Sequence, residues 1–157
     1  MIRKAKINEV REIWRMLHNF ADQDVLPRSM ADLYSQVREY FIYREEQGPL
    51  IGVAALHIFW EDLGEIRSVA VLPEFQRNGI GSALVKSCIA EAASLGLKKV
   101  IALTTRPDFF KRLGFHQVAR EDLPPHIWSE CKDCVKYPDK CNEIPMLLDL
   151  WTSAHRD

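Results

Sequence analysis

The chain has 157 residues, 47% of them hydrophobic, which suits one compact domain with a real core and is too short for two. A net charge of -1 gives no bulk attraction to nucleic acid, and no apolar run approaches the roughly 20 residues that span a bilayer, so small, charged ligands are the expected partners. Residues 1–6 run straight into an amphipathic pattern with no signal-peptide core, so the chain reads as soluble and cytoplasmic. Its four cysteines are then expected to stay mostly reduced, which favours metal binding or packing over disulfides.

Residues 2–6 read as a short first strand. From Asn8, a candidate N-cap, apolar residues recur at Val10, Ile13, Trp14, Leu17 and Phe20, the spacing of a helix with one buried face. A break at 22–27 precedes Ser29, which is placed to cap a second helix, with Asp32 in the capping-box position and Leu33, Tyr34, Val37 and Tyr40 or Phe41 behind it. From about Tyr40 the pattern turns to β, and Glu46-Gln47-Gly48-Pro49 makes a hairpin between Phe41-Ile42-Tyr43 and residues 50–60. A turn at 60–64 and a strand at 65–72 follow. The next helix carries Leu84, Val85, Cys88, Ile89, Ala92 and Leu95 on one face and ends at Gly96, in the place of a C′ glycine. Residues 99–104 form an apolar strand, and Pro107 opens a brief helix that runs to Leu113 and stops at Gly114. Residues 115–119 and 143–150 read as strands, 121–142 as irregular, and the tail from about Thr152 is expected to fray.

Strand and third helix are joined through Gln76-Arg77-Asn78-Gly79-Ile80-Gly81. The glycines sit where the turn meets the helix, so unpaired backbone N–H groups face outward at the positive end of the helix dipole, a site for phosphate. This pattern is preceded by Ile66-Arg67-Ser68-Val69-Ala70-Val71 and Pro73, and followed by a strand, a short helix and Leu113-Gly114-Phe115. In that order it resembles the acetyl-CoA motif of the GNAT N-acetyltransferase family. Four pieces, Leu26-Pro27-Arg28-Ser29, the run from Gly64 to Val71, Leu103-Thr104-Thr105-Arg106 and the run from Phe110 to Phe115, are similar to the acetyltransferase domain of N-acetylglutamate synthases. The cysteine-bearing segment from Leu123 to Glu143 resembles the stand-alone short form of that activity. The resemblance implies an α/β (α+β) fold, a single GNAT domain over 1–157. Its mixed, mostly antiparallel sheet would have about six or seven strands, splayed between strands 4 and 5 and flanked by helices. It implies acetyl-CoA as donor and a small amino acid as acceptor, most closely L-glutamate going to N-acetylglutamate for arginine biosynthesis. The arginine-feedback site of synthases that carry an amino-acid-kinase domain lies on that domain and is not carried over.

Acetyl transfer needs a deprotonated amine, a thioester within reach, a stabilised oxyanion and a proton for the departing thiolate. By resemblance, main-chain groups of Val69, Ala70 and Val71 hold the pantetheine arm, with the Val69 amide on the thioester carbonyl. Gln76, Arg77, Asn78, Gly79, Ile80, Gly81 and Ser82 hold the pyrophosphate, the glycines permitting close backbone approach. Glu65 takes the place of the proposed general base, acting directly or through water; without the motif it reads as an ordinary strand-edge glutamate on a solvated face. Arginine's planar fork suits the acceptor's carboxylates. Arg28 matches the synthase arginine that contacts the amino acid, although it could instead pair with Asp32, and Arg67 and Arg106 lie at predicted strand ends near the gap. Many family members carry a proton-donating tyrosine in the short helix after strand 5. Here that helix holds Phe109 and Phe110, expected to pack against pantetheine. Thr104 is the candidate general acid, or else a β-branched residue finishing a strand.

Cys131-x2-Cys134-x6-Cys141 is the other chemical cluster, a candidate structural zinc site with His126 or Glu143 as fourth ligand, or three unmetallated thiols. Cys88 reads as core, and His18, His57 and His116 have no companion at ligand spacing, so no function attaches to them. Two other readings stay open: acetylation of a different amine (another amino acid, a polyamine or a protein N-terminus), and a catalytically idle acyl-CoA-binding or metal-sensing module. Homodimer formation and regulation by arginine are open as well.

Overall fold

The computed structural model describes residues 1–19, 28–125, 127 and 143–150. Phe20, the break at 22–27, most of the cysteine-bearing segment and the tail from Thr152 lie outside these residues. Along the chain run β1 (Ile2–Lys4), α1 (Val10–Asn19), α2 (Met30–Ser35), β2 (Tyr40–Arg44), β3 (Leu50–Trp60), β4 (Leu63–Val71), α3 (Ile80–Leu95), β5 (Lys99–Thr104), α4 (Pro107–Lys111), β6 (His116–Gln117) and β7 (Ile144–Asp149). The strands form one seven-stranded sheet in the order β1-β2-β3-β4-β5-β7-β6. Every neighbouring pair is antiparallel except β4 and β5.

Local chemistry explains most boundaries. Ser29 caps α2, its hydroxyl accepting from the Asp32 N–H at 3.0 Å. Asn8 does not cap α1: the chain enters through a 3-10 turn, Ile7–Glu9, whose capping residue is Lys6, and the Glu9 carboxylate accepts the Lys6 N–H at 2.9 Å. The second helix is shorter than its apolar spacing suggests, giving way to a 3-10 turn, Val37–Glu39, before β2. The β3–β4 connection is tight, with Trp60 paired to Leu63, so β4 starts earlier than position 65. The strand expected at 115–119 is reduced to His116–Gln117. Val118 N–H still reaches the Pro145 carbonyl at 3.1 Å, but a proline has no N–H to return, so the ladder ends there.

The sheet is covered on both faces, and β3 is central enough that Leu50 to Leu56 are all buried. One face packs Ala54, Leu56 and Ile66 against Leu84, Val85, Cys88 and Ala92 of α3. The other packs Tyr40, Ile42, Val53, Ala55 and Ala70 against Val10, Ile13, Met16 and Leu17 of α1 and Leu33 of α2. Further along that face Leu63 and Ile101 meet Leu123 and Ile127 in a smaller cluster. Each fully buried aliphatic side chain contributes about 1.5 to 3 kcal/mol, so two apolar layers hold the central strands rigidly. Cys88 belongs to that core, and burial pushes its thiol up to about 12.

Candidate active site

A parallel ladder joins Leu63, Gly64 and Glu65 to Lys99, Val100 and Ile101, and stops there. Beyond Glu65 the strands part, and the opening becomes a cleft of about 780 Å³ lined from β4, the glycine turn, the start of α3, the end of β5 and α4. Of the residues singled out by sequence, Val69, Ala70, Val71, Gln76, Arg77, Gly79, Gly81, Ser82, Thr104, Phe109, Phe110, Arg67 and Arg106 line it, whereas Asn78, Ile80, Glu65 and Arg28 do not.

Two distortions shape this wall. In β4 the register slips between Val53↔Ala70 and Ala55↔Arg67, so an extra residue is accommodated and Ser68 takes φ 58. This bulge, which the alternation of residues 66–71 does not announce, directs the Ser68 hydroxyl to the Tyr40 hydroxyl at 3.4 Å. At the other end, α3 starts from Gly79 at φ 79 with no side chain capping it. Its first amide groups are therefore free of side-chain partners and face the cleft, with the positive end of the helix dipole behind them. A Cβ at Gly79 would meet nothing within 4 Å, and one at Gly81 would sit 3.7 Å from Phe109. Packing within the chain therefore does not demand glycine at 81; its absent side chain leaves the cleft wall open. Arg77, at φ 69, completes the turn, and the Gln76 side-chain amide donates to the Val71 carbonyl at 3.0 Å, tying turn to strand.

Opposite, Thr104 is buried, and its hydroxyl accepts the Arg106 N–H at 2.8 Å, which leaves the hydroxyl proton available for donation. Phe110 packs into the core edge-on to Phe115, while both it and Phe109 border the cleft. Asp108, Arg112 and Thr105 also line the cleft, and sequence reading gave them no role.

The remaining predicted residues gather on the α1/α2 face of the sheet. Glu65 and Arg67 are each 7% exposed, and Arg67 Nη1 lies 3.5 Å from Glu65 Oε1. Arg28, just before α2, is 8% exposed. Burial pushes the Tyr40 hydroxyl pKa up, opposed by its hydrogen bond to Ser68 and by the positive charges of Arg28 and Arg67. Both buried guanidinium groups therefore bear electrostatically on the same hydroxyl. Sequence reading missed Tyr40, whose place at a helix-to-strand change made it look like simple packing.

Cys131, Cys134, Cys141 and His126 lie outside the described residues. Among the described residues there is no group of three or more metal-binding side chains, and no helix long and apolar enough to cross a membrane.

The chain compares closely with proteins of known family. Residues 7–118 match the model of the acetyltransferase (GNAT) family. An uncharacterised N-acetyltransferase of Chlorobaculum tepidum is 34% identical over 95% of this chain and 96% of its own length. An amino-acid acetyltransferase of Mycobacterium tuberculosis is 33% identical over 83% of this chain and 76% of its own. A Mycobacterium tuberculosis structure solved with CoA superposes with a TM-score of 0.83 at 30% identity, covering 96% of this chain and 99% of that one. The N-acetylglutamate synthase of Neisseria gonorrhoeae, solved with coenzyme A and N-acetyl-glutamate, superposes at 0.84 with 27% identity, and this chain covers 35% of it. With a family model over most of its length, relatives matched nearly end to end and a splayed β4/β5 cleft, this chain belongs to the GNAT acetyltransferase family, as an acetyl-CoA-dependent N-acetyltransferase akin to the amino-acid acetyltransferases.

Proposed function

We propose that this chain, as one acetyltransferase domain, acetylates the α-amine of L-glutamate, giving the N-acetylglutamate that enters arginine biosynthesis. The observation that carries this reading is the pair of buried arginines, Arg28 and Arg67, acting on one hydroxyl beside a buried glutamate. Two buried guanidinium groups match an acceptor with two carboxylates, each of which an arginine can bind through two parallel hydrogen bonds. The gonococcal synthase, solved with N-acetyl-glutamate, supports the same acceptor.

The roles follow from position. Glu65, at the last rung of the β4/β5 ladder, takes a proton from the acceptor's ammonium, directly or through water. Beyond that rung the β4 edge is released from β5, and Val69 to Val71 present main-chain groups to the pantetheine arm, the Val69 amide polarising the thioester carbonyl. The amides from Arg77 to Ser82 receive the pyrophosphate, and Phe109 and Phe110 flank the arm. Thr104 donates its proton to the leaving sulfur. Arg106, on the same side of the cleft, adds positive charge.

Turnover with acetyl-CoA and a panel of amines, followed by release of the CoA thiol, tests the assignment. Glutamate is expected to be the best acceptor, with aspartate and glutamine weaker and glycine, polyamines and peptides far behind. Glutamate turning over no faster than glycine or a peptide sinks the glutamate assignment.

A further inference from the structure

On the sheet face that carries Glu65, two more titratable side chains line up with it. In the β3/β4 ladder His57 stands directly opposite Glu65. Antiparallel partners project from the same face with their Cβ atoms about 5 Å apart, so the two side chains stand side by side on that face. His57 Nδ1 lies 3.1 Å from both oxygens of Glu39, on the 3-10 turn that leads into β2. Arg67 stands between the two acids, 3.5 Å from Glu65 and 3.8 Å from Glu39, and Phe59 sets its ring edge-on to His57 at 5.1 Å. Exposure rises along the row: the Glu65 side chain is 10% accessible, His57 25% and Glu39 26%.

We propose that His57 and Glu39 form the proton exit for Glu65, as positioning residues that return the base to its carboxylate after each turnover. This rests on the reading of Glu65 as the base. The reaction sheds two protons from nitrogen. The ammonium gives one to Glu65, and the freed lone pair attacks the thioester carbonyl carbon, forming the C–N bond. The C–S bond breaks with its electron pair on sulfur, and the second nitrogen proton neutralises that thiolate, relayed by way of the donor hydroxyl. One proton stays on Glu65 and must reach water before the next cycle.

Glu65 itself is poorly placed to deliver it, since Leu63 and Ile101 on either side belong to an apolar cluster. With Nδ1–H donated to Glu39, the His57 ring keeps Nε2 as its acceptor. It takes the Glu65 proton there, becomes an imidazolium held by Glu39, passes the Nδ1 proton to Glu39 and the solvent beside it, and regains its starting tautomer by exchanging ring protons with water before the next turnover. An imidazole's two nitrogens let one ring accept a proton on one side and donate on the other.

The test is His57→Gln, which keeps a hydrogen bond to Glu39 but cannot carry a proton. In dilute buffer at pH 7 the expected loss is about tenfold in kcat, with KM for both substrates within about twofold of the unaltered chain. Added imidazole should restore kcat in proportion to its concentration, and Glu39→Gln should show a smaller loss that also shrinks with buffer. A role in folding alone predicts no response to imidazole. Wild-type kcat for His57→Gln in dilute buffer, or a deficit that imidazole leaves unchanged, overturns the exit path. Rates are taken with whichever amine the unaltered chain turns over fastest, so an acceptor other than glutamate overturns only the substrate assignment. Full activity in Glu65→Gln removes the base and its exit together, whereas an inactive Glu65→Gln beside a fully active His57→Gln removes the exit alone.

Discussion

Gly81 separates two effects that usually move together. It is the second residue of α3, has an ordinary helical backbone, and a Cβ there would rest 3.7 Å from Phe109, ordinary van der Waals contact. Gly81→Ala should therefore stabilise the free protein, since alanine loses less backbone entropy on folding, by about 0.5 to 1 kcal/mol. For a domain of this size that is a rise of roughly 1 to 4 °C in Tm. The same methyl group projects where the proposed reading puts the pyrophosphate. Losing one hydrogen bond to a charged group costs about 1.5 to 3 kcal/mol, which is at least a tenfold weaker Kd for CoA. Gly79→Ala should behave differently: it meets no atom within 4 Å but must hold φ 79, a strain of about 1 to 2 kcal/mol. Calorimetric unfolding of the free proteins, paired with CoA titration, reads both quantities. A Gly81→Ala protein that is more stable and binds CoA as tightly as the unaltered chain would refute the placement of the pyrophosphate at this turn.

Thr104→Val keeps the β-branched shape of the strand end but removes the hydroxyl; kcat should fall roughly tenfold to a hundredfold, Thr104→Ser should recover most of it, and equal turnover in all three proteins would dismiss Thr104 as proton donor. Leu84 is fully buried beneath β3, so Leu84→Ala should cost about 2 to 5 kcal/mol and lower the urea midpoint without changing the slope. The Glu9 carboxyl is held below its ordinary 4.5 chiefly by hydrogen bonds from Arg3, against the opposing effect of burial. A depressed carboxyl contributes stability that is present above its unfolded pKa and lost as pH falls through the folded one. Glu9→Gln should therefore cost about 1.5 kcal/mol at pH 7, the low end for a charged hydrogen bond because Arg3 is 37% exposed, and the difference should vanish on acidification below the carboxylate range. A difference that persists unchanged at pH 3 would refute that origin.

Local signals carried most of the scaffold. β3 and β5 have the limits read from residue pattern, Pro107 opens α4, Ser29 caps α2, and Gly96 closes α3 at φ 89. Each depends on residues within a few positions of one another. The lining of the β4/β5 cleft was legible for the same reason, as its residues fall in one continuous run and one following strand and helix. The surroundings of Glu65, which sequence named, were not. The Ser68 bulge is a positive φ at a residue type that gives no notice of it, and only the change in facing between Arg67 and Ala70 reveals it. The contact of Tyr40 with Ser68 spans 28 positions and that of Glu39 with His57 spans 18, so both depend on strand register, which no local pattern supplies.

That division has a physical consequence for how acceptor choice can change. Glu65 is the last residue of β4 tied to β5 and projects to the α1/α2 face, whereas Val69 and Val71 pack on the α3 face. One strand thus serves two layers: its backbone edge, freed by the splay, borders the cleft, and its Ser68 side chain reaches Tyr40. Arg28 just before α2 and Tyr40 on β2, which would choose the acceptor, lie outside the apolar cluster that holds the start of α3. Arg28→Leu should accordingly raise KM for the acceptor by tenfold or more, as the loss of a charged carboxylate contact requires, and leave KM for acetyl-CoA unchanged. A parallel loss of affinity for acetyl-CoA would mean that the two layers are coupled through β4 and that donor and acceptor sites are not independently adjustable.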